Sequence, residues 1–514
     1  MLTLKGKRID IETGGKKIAL LHKEDAGELG VHPNDRISVT FDGETHTFIV
    51  DVTRDVLKPG ELGLFEGNTD EDEKLDGKSV QVEPAKPPRT AGYIKKRLLG
   101  QALAPAEIKE IIRDVVDNKL SDIESVFFMS SCYSHDFNDD ELSALAEGMV
   151  EAGKTLSFPG KLVASKHCTG GVPGNRTTMI VIPICVAAGL TMAKTSARAI
   201  SSPAGTADVM EVLCSVEHSF DAVTSIVNKV GGCIIWNGAV NLSPADDRLN
   251  QLRYPLRLDP EPFLLASILS KKKAEGAKKI LIDIPIARGG KFETEEAGRK
   301  LAGRFISLGT RLGLDVEVAL TAGDQPIGNG IGPALEAIDV LKVLECAPDA
   351  PDDLRKKALT LAGLLLEHTG KAARGEGEKI AENLLASGKA LAKFREIVHA
   401  QGGSEKVSSA TPKPGKFRKR IFSSEGCSIF SFINSQLTKI ARAAGAPKNK
   451  GAGIYLFIKK GAKLKKGDPL YEIYSESEEK LEYAAAIAAE DAGVVMQKPV
   501  LEIIESRFHQ DIDR

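Results

Sequence analysis

The spacing of apolar and polar residues divides the first third of the chain into two stretches. Up to residue 83, short apolar runs of β type are separated by turn residues such as Asp42-Gly43 and Pro59-Gly60, which indicates a small β-rich domain. After a proline-rich linker, Pro84–Pro88, helical spacing over 89–158 predicts a helical domain, with helix starts at Pro105 and Asn138. The predicted elements are strands at Lys17–Leu21, Arg36–Phe41, His46–Val52 and Ser79–Val82, and helices at Lys23–Leu29, Tyr93–Leu99, Ile108–Val116 and Leu142–Met149.

From residue 161 to about 401, β-type runs alternate with helical runs. This alternation predicts a mostly parallel sheet covered by helices, and such sheets bind ligands beyond the carboxyl ends of their strands. The predicted strands are Leu162–Ser165, Met192–Ser196, Gly232–Trp236, Lys279–Ile284 and Asp315–Leu320.

The last part of the chain, residues 421–514, has β-type runs on either side of a predicted helix at Ser431–Ala444, which favours an α+β domain. The basic stretch Lys413–Arg420 before it is interpreted as a solvated connector. We therefore predict a multidomain α/β chain with four domains, at 1–83, 89–158, 161–401 and 421–514.

Two loops rich in glycine and hydroxyl groups follow predicted strands of the parallel sheet. The first is Lys166–Thr178 and the second is Ser196–Asp208, and each precedes a helical run. Backbone N–H groups in such turns and at helix N-termini bind anions, and Lys166 adds a full positive charge. Gly and Thr are also common in ordinary strand–helix turns, but two such loops in one unit favour an anion site.

A third cluster surrounds the predicted helix that starts at Pro262. Ser267 and Lys271 lie four positions apart on one face of this helix, and Asp259 precedes it as a candidate N-cap. Lys291 follows a Gly-Gly pair at the end of another predicted strand, where it is either a surface lysine or part of a second anion site.

Composition narrows the function. The 514 residues have a formal net charge of -2 and only 5% aromatic residues, which argues against a nucleic-acid-binding protein. The seven cysteines are scattered, which favours a reducing cytoplasm and no metal or disulfide framework. We expect no membrane contact, because the most apolar run, Met179–Leu190, is too short to span a bilayer.

The two loops resemble the signature of the thymidine/pyrimidine-nucleoside phosphorylase family. Lys166 to Gly171 matches the Lys-His-Ser-Thr-Gly-Gly loop of that family, although Cys168 stands where the family has Ser and is a weaker donor. The second pattern is matched by Ser196, Arg198, Gly205, Thr206, Asp208 and Glu211. The resemblance runs from about Pro88 to the end. The Val172–Asn175 insertion and the extra N-terminal domain resemble the branch of the family that acts on AMP.

The resemblance implies phosphorolysis of nucleoside 5′-monophosphates (AMP, also CMP and UMP) to free base and ribose 1,5-bisphosphate, in nucleotide salvage. It implies no cofactor, and a homo-oligomer in which the N-terminal domain takes part. The implied phosphate ligands are Lys166, Gly170, Thr178 and Ser196. The implied nucleotide contacts are Gly171, Ala197, Arg198, Ala199, Ile200, Ser201, Ser202, Thr206, Arg253, Ser267, Lys271 and Lys291.

The resemblance also implies that Asp259 donates the proton to the departing base. Such a role requires a raised pKa, whereas an N-cap role does not. His167 is the other acid–base candidate. The alternative interpretation is a structural histidine whose ring is hydrogen-bonded to the backbone.

Two other functions remain open at this stage. One is a nucleoside phosphorylase that needs no 5′-phosphate, and Lys291 separates the two, because thymidine phosphorylases have a small residue at that position. The other is a regulatory protein that binds phosphate or nucleic acid through the basic stretches 413–420 and 459–466.

Overall fold

A computed structural model gives the fold. It describes residues 1–13, 17–66, 75–199, 202–253, 260–287 and 290–497, with residue 253 described by its backbone alone. Contacts between Cα atoms group the chain into two compact units. Unit 1 comprises Met1–Gly153 and Ser243–Ser270, and unit 2 comprises Lys154–Leu242 and the chain from Lys271 onward.

The elements are numbered here in chain order. The strands are β1 Leu2–Glu12, β2 Ile18–His22, β3 Arg36–Phe41, β4 Glu44–Thr53, β5 Glu61–Glu66, β6 Ser79–Pro84, β7 Ala164–Cys168, β8 Met192–Ser196, β9 Gly232–Trp236, β10 Lys279–Ile286, β11 Asp315–Ala322, β12 Gly330–Ile331, β13 Phe417–Phe422, β14 Cys427–Phe432, β15 Gly453–Leu456, β16 Lys463–Leu464, β17 Pro469–Ser475 and β18 Val494–Gln497. The helices are α1 Lys23–Leu29, α2 Arg89–Leu98, α3 Pro105–Val116, α4 Asp122–Ser134, α5 Asp139–Glu151, α6 Thr178–Ala187, α7 Thr206–Met210, α8 Phe220–Val230, α9 Asn237–Val240, α10 Pro244–Arg253, α11 Glu261–Ala274, α12 Glu295–Arg311, α13 Pro333–Leu344, α14 Asp352–His368, α15 Gly377–Ala386, α16 Lys389–Ala400, α17 Asn434–Ala443 and α18 Glu478–Glu490.

Unit 1 begins with a closed β-barrel in the strand order β1-β5-β2-β4-β3-β6. Every second residue of β3 faces the barrel core, where Ile37 and Val39 pack with Phe48 of β4. Closure removes the unpaired strand edges that a small open sheet would expose. The β-rich module predicted for 1–83 is therefore a barrel, and β1 and β5 are strands that the sequence analysis did not identify.

The helices that follow the barrel form the rest of unit 1, together with α10 and most of α11. The predicted helix start at Asn138 is confirmed, because its side chain accepts hydrogen bonds from the N–H groups of Asp140 and Glu141 at 3.0 and 2.9 Å. Helix α4 was not predicted. Phe128 on α4 packs edge-on against Phe263 of α11, with 5.9 Å between ring centroids.

Unit 2 contains a parallel sheet in the order β11-β10-β7 and a parallel pair, β8 and β9. The predicted α/β class with a mostly parallel sheet is confirmed. Strand β7 begins and ends later than predicted, so that Lys166 and His167 belong to the strand itself. They stay in the ladder because their backbones pair with Leu281 and Ile282 of the buried strand β10.

The predicted connector Lys413–Arg420 is wrong in its second half. Residues Phe417–Phe422 form β13, an edge strand of the sheet β12-β15-β17-β13. Phe417 and Ile421 pack against the C-terminal core, while Arg418 and Lys419 are exposed. Basic side chains are common on edge strands because they discourage pairing with other chains, so a charge run does not exclude a strand.

Within the described ranges, no helix is both long enough and apolar enough to cross a membrane.

Candidate active site

The first glycine-rich loop surrounds a fully buried lysine. Lys166 has no exposed surface, and its Nζ donates hydrogen bonds to Thr177 Oγ1 at 2.8 Å and to Thr178 Oγ1 at 3.5 Å. Burial lowers the pKa of the Lys166 ammonium, against the attraction of Asp283. Gly170 and Gly171 have φ values of 89° and 92°, a left-handed conformation that glycine adopts without a steric cost. The structure thus brings the predicted ligands Lys166 and Thr178 together.

An acidic residue that the sequence analysis did not select lies next to Lys166. Asp283 of β10 is buried, and its Oδ2 is 3.7 Å from Lys166 Nζ and 3.4 Å from the Nζ of Lys357 on α14. Its Oδ1 accepts a hydrogen bond from Thr321 at 2.6 Å. Burial raises the pKa of the Asp283 carboxyl, but the charges of Lys166 and Lys357 outweigh it, so the pKa lies below its ordinary value. The carboxyl is therefore ionised at neutral pH.

Cys168, the departure from the family motif, faces the loop. Its Sγ accepts hydrogen bonds from the N–H of Gly170 and from Nδ2 of Asn175, both at 3.4 Å. Burial raises the pKa of the Cys168 thiol to about 11, so the thiol stays protonated. A sulfur therefore supports the turn here, as the hydroxyl of a serine would.

His167 is a neutral imidazole. Its pKa lies well below the ordinary value because of burial and because of the ammonium groups of Lys194 and Lys272. Its Nδ1 is buried and meets no hydrogen-bond partner in the described part of the chain. No described backbone group therefore holds the ring through Nδ1, as the alternative interpretation of this histidine would require. A neutral ring can still donate or accept one hydrogen bond.

A second buried carboxylate joins the two strands that carry the loops. Glu275 is fully buried and accepts hydrogen bonds from Ser165 of β7 at 2.6 Å and from the N–H and hydroxyl of Thr195 of β8 at 2.8 and 2.7 Å. Lys272, itself buried, pairs with the same carboxylate. Ser165 precedes Lys166 and Thr195 precedes Ser196, both predicted phosphate ligands, so Glu275 fixes the spacing between the two loops.

The second loop is held by its own polar groups. Asp208 Oδ2 accepts hydrogen bonds from the N–H groups of Ala199 and Gly205 at 2.6 and 2.8 Å. Arg198 makes two bonds of 2.7 Å to the carboxylate of Glu211 and a third of 2.7 Å to Glu217. Its guanidinium also stacks 4.9 Å from the centroid of Trp236. A nucleotide contact by Arg198 stays a prediction, and it would compete with these carboxylates.

The other predicted residues of the second loop have the following partners. Ser196 Oγ donates to the carbonyl of Ile235 at 3.1 Å, and Ser202 Oγ donates to the carbonyl of Ala204 at 3.2 Å. Thr206 Oγ1 accepts a hydrogen bond of 3.1 Å from Arg176, which also pairs with Glu336. Arg176 belongs to the first loop, so it ties the two loops together, although the sequence alone gave it no role in the site. Ile200 and Ser201 lie outside the described residues, and Ala197 is exposed, with its carbonyl oxygen against Gly205.

The nucleotide ligands predicted further along the chain are less fully described. Ser267 is buried and belongs to unit 1, and Lys271 belongs to unit 2 on the same helix, α11. Asp259 lies outside the described residues, and so does the side chain of Arg253. Their predicted roles stay predictions.

Lys291 is next to the first loop. A Cβ placed on Gly171 would be 3.5 Å from the Cβ of Lys291 and 3.6 Å from its backbone nitrogen. The Lys291 side chain is exposed. The backbone of Lys291, the residue predicted for the second anion site, thus lies beside the glycine pair of the first loop.

Across the described ranges, no three His, Cys, Asp or Glu side chains lie close enough together to hold a metal ion.

Comparisons with known proteins define the class. Residues 91–153 match the helical bundle domain of a glycosyl transferase family, residues 160–391 match its a/b domain, and residues 429–494 match the pyrimidine nucleoside phosphorylase C-terminal domain. Anthranilate phosphoribosyltransferase (TrpD) from Thermus thermophilus has a similar fold, with a TM-score of 0.52 and 20% identity, over 60% of this chain and 99% of that chain. The fold is thus that of a glycosyl transferase.

Relatives along the whole length define the particular family. The AMP phosphorylase of Methanosarcina barkeri is 43% identical over 99% of this chain and 99% of its own. The AMP phosphorylase of Pyrococcus furiosus is 42% identical over 97% of this chain and 99% of its own, and that of Thermococcus kodakarensis is 43% identical over 95% and 97%. The chain therefore belongs to the AMP phosphorylase family.

Proposed function

We propose that this protein cleaves AMP with inorganic phosphate to give adenine and ribose 1,5-bisphosphate. The bond between C1′ and N9 breaks, and its electron pair leaves with the base, which takes up a proton. A phosphate oxygen forms the new bond to C1′. The observation that carries the proposal is the buried Lys166 beside the left-handed glycine pair, in a chain whose relatives are AMP phosphorylases along their whole length.

The attacking phosphate is assigned to the first loop. Lys166, the amides of the Gly170–Gly171 turn and the hydroxyl of Thr178 are its ligands, and Ser196 adds a hydroxyl from β8. A buried cation binds an anion more strongly than an exposed one because little water competes. Because positive charge develops on the sugar as the base departs, a fixed phosphate dianion also stabilises that charge.

The 5′-phosphate is assigned to Lys291 and to the loop that contains Arg198. This assignment is supported by the place of Lys291 beside Gly171. Proton transfer to the base is assigned to Asp259, by resemblance, with Ser267, Lys271 and Arg253 around the base. The neutral His167 is assigned a hydrogen bond to the sugar. CMP and UMP are further proposed substrates.

The test is a product assay. Purified protein is incubated with phosphate and with AMP, CMP, UMP, adenosine or uridine, and free base is quantified by chromatography. Ribose 1,5-bisphosphate is identified by phosphorus NMR. We expect base release from the monophosphates and little from the nucleosides. Equal cleavage of adenosine and AMP would instead make the protein a nucleoside phosphorylase.

We further propose a homo-oligomer in which the barrel of unit 1 takes part. The barrel has a closed core of its own and contributes none of the proposed ligands. Light scattering of the full chain, and of a chain that starts at Arg89, measures the number of protomers. We expect a lower number for the shorter chain, and equal numbers would contradict a role in assembly.

A further inference from the structure

Lys357 is a buried cation to which the family motifs assign no role. It lies on α14, which packs against β10, and 10% of its side chain is exposed. Its Nζ is buried, and no described residue accepts a hydrogen bond from it. The nearest opposite charge is Asp283 Oδ2, at 3.4 Å. An ammonium has three N–H groups, so this one retains hydrogen-bonding capacity inside the protein.

The charges around Asp283 do not balance. Two ammonium groups, those of Lys166 and Lys357, share the single carboxylate oxygen Oδ2, while Oδ1 is held by Thr321. The groups that hydrogen-bond to Lys166 supply no compensating charge, because the hydroxyls of Thr177 and Thr178 are neutral, and the Cys168 thiol is protonated. Uncompensated charge is unfavourable in a buried site. An anion bound beside the two lysines would offset this surplus of positive charge.

Further donors lie at the same place. Thr169 donates its backbone N–H to the carbonyl of Asp283 at 3.0 Å, and its hydroxyl is buried without a hydrogen-bond partner in the described part of the chain. Cys168 pairs with Asp283 in the strand register, and the left-handed glycines follow directly. Lys357 thus faces a carboxylate that lies against the start of the phosphate loop.

We propose that Lys357 is a second cationic ligand of the attacking phosphate and shares Asp283 with Lys166. The proposal rests on the proposed function for the identity of the anion. Asp283 holds the two ammonium groups close together when no phosphate is bound. The phosphate dianion then supplies the negative charge that one carboxylate cannot. The competing explanation is a structural ion pair, in which Lys357 only neutralises Asp283.

The experiment compares Lys357→Met with Lys356→Met. Methionine keeps the apolar stem of lysine and removes the charge. Lys356 is the next residue on α14, is 71% exposed and pairs only with Asp352, at 2.6 Å, among the partners that the structure describes, so it is a matched control. Binding of inorganic phosphate is measured by calorimetry at fixed pH and ionic strength, without nucleotide. We expect Lys357→Met to weaken phosphate binding roughly ten- to hundredfold, and Lys356→Met to leave it within about twofold.

Steady-state kinetics separate a ligand from a structural residue. For Lys357→Met, the KM for phosphate should rise by a similar factor, while the KM for AMP stays within about threefold. Lys357→Arg, which keeps the charge, should recover part of the phosphate affinity. A Lys357→Met variant that binds phosphate like Lys356→Met, or that raises both KM values equally, would overturn the proposal.

A double variant covers the case in which Lys357→Met does not fold. Asp283→Asn with Lys357→Met removes both charges of the pair, so no unpaired carboxylate stays buried. We expect this protein to fold and to bind phosphate weakly, and wild-type phosphate affinity in it would refute the role of Lys357. The binding assay contains no nucleotide. Failure of the wild-type protein to cleave AMP would therefore overturn the proposed function and leave the role of Lys357 in anion binding to be decided separately.

Discussion

The two loops of unit 2 have the same local plan, a parallel strand followed by a turn and a helix, but they use their polar groups differently. In the first loop, Thr169 Oγ1 and His167 Nδ1 meet no partner within the described residues, and two ammonium groups share Asp283. In the second loop, Asp208 and Arg198 bind groups of the protein itself. The first loop therefore keeps hydrogen-bonding capacity for a ligand, whereas the second uses its capacity to fix its own shape.

This difference shows that a charged residue in a family motif is not by itself a ligand. Lys166 lies within β7, and Arg198 lies two residues beyond the end of β8. Lys166 is fully buried and donates to two neutral hydroxyls, with the Asp283 carboxylate 3.7 Å away, while Arg198 pairs with two glutamates. We therefore expect substitutions in the first loop to act mainly on ligand binding, and substitutions in the second loop to act mainly on the shape of that loop.

The largest effect is expected when the cation of the first loop is removed. Lys166→Ala deletes a buried charge. It should cost about 2–5 kcal/mol of transition-state stabilisation, which lowers kcat/KM roughly thirtyfold to several thousandfold, mainly because phosphate binds more weakly. Steady-state kinetics with varied phosphate measure this. Lys161→Ala is the control, since the Lys161 side chain is exposed and donates hydrogen bonds only to Asn228 within the described chain. Unchanged phosphate dependence would remove Lys166 from the site.

The next effect tests whether Lys291 binds a second anion, the 5′-phosphate of AMP. Lys291→Ala should lower kcat/KM for AMP about ten- to hundredfold and leave adenosine almost unaffected, because adenosine has no phosphate to meet the ammonium. Both substrates are assayed with the same enzyme preparation. Equal losses on AMP and adenosine would contradict the assignment.

A smaller effect distinguishes how the two loops depend on glycine. A Cβ on Gly205 would lie 2.4 Å from the carbonyl oxygen of Ala197, whereas a Cβ on Gly170 meets nothing within 4 Å. Gly205→Ala should thus destabilise its loop by steric overlap, and Gly170→Ala by placing a side chain on a left-handed backbone. We expect each substitution to cost about 1–3 kcal/mol. Asparagine tolerates left-handed conformations, so kcat/KM should recover in Gly170→Asn but not in Gly205→Asn. Recovery of both would refute the distinction.

The smallest effect concerns the stability of the second loop. Hydrogen bonds from Arg198 lower the pKa of Glu211 to about 2. A lowered pKa stabilises the fold above the ordinary value of about 4.5, and this contribution is lost as the pH falls toward 2. Glu211→Gln should destabilise the protein by about 1–2 kcal/mol at pH 7, and the difference should shrink between pH 4.5 and 2. Thermal unfolding midpoints measure it, with the more exposed Glu217→Gln as control. A difference that does not change with pH would contradict the ion-pair explanation.

The sequence sufficed for most parallel strands of unit 2 and for the cation of its first loop. Alternating apolar runs locate β8, β9, β10 and β11 within a few residues, because buried parallel strands are continuously apolar. Lys166 before a Gly-Gly pair is likewise a local pattern. The end of β7 was predicted too early because Lys166 and His167 are polar, yet their partner strand keeps them in the sheet.

The buried carboxylates could not be predicted, because their function depends on pairing between distant parts of the chain. Asp283 is placed beside Lys166 by the register of β10 on β7, and Lys357 is brought there by a helix that starts at Asp352. Glu275 lies in a run of lysines, a pattern typical of a solvated helix end. No local periodicity contains the information that these charges are buried together.

The division of unit 1 into two chain segments has a consequence for biosynthesis. The barrel and helices α2 to α5 leave the ribosome first, but Arg248 and Phe263, which contact Asp122 and Phe128, follow more than a hundred residues later. Unit 1 therefore stays incomplete while strands β7 to β9 are being synthesised, because its last two helices follow them in the chain. Because the chain passes between the units after residues 153, 242 and 270, one proteolytic cut cannot separate them into two complete pieces.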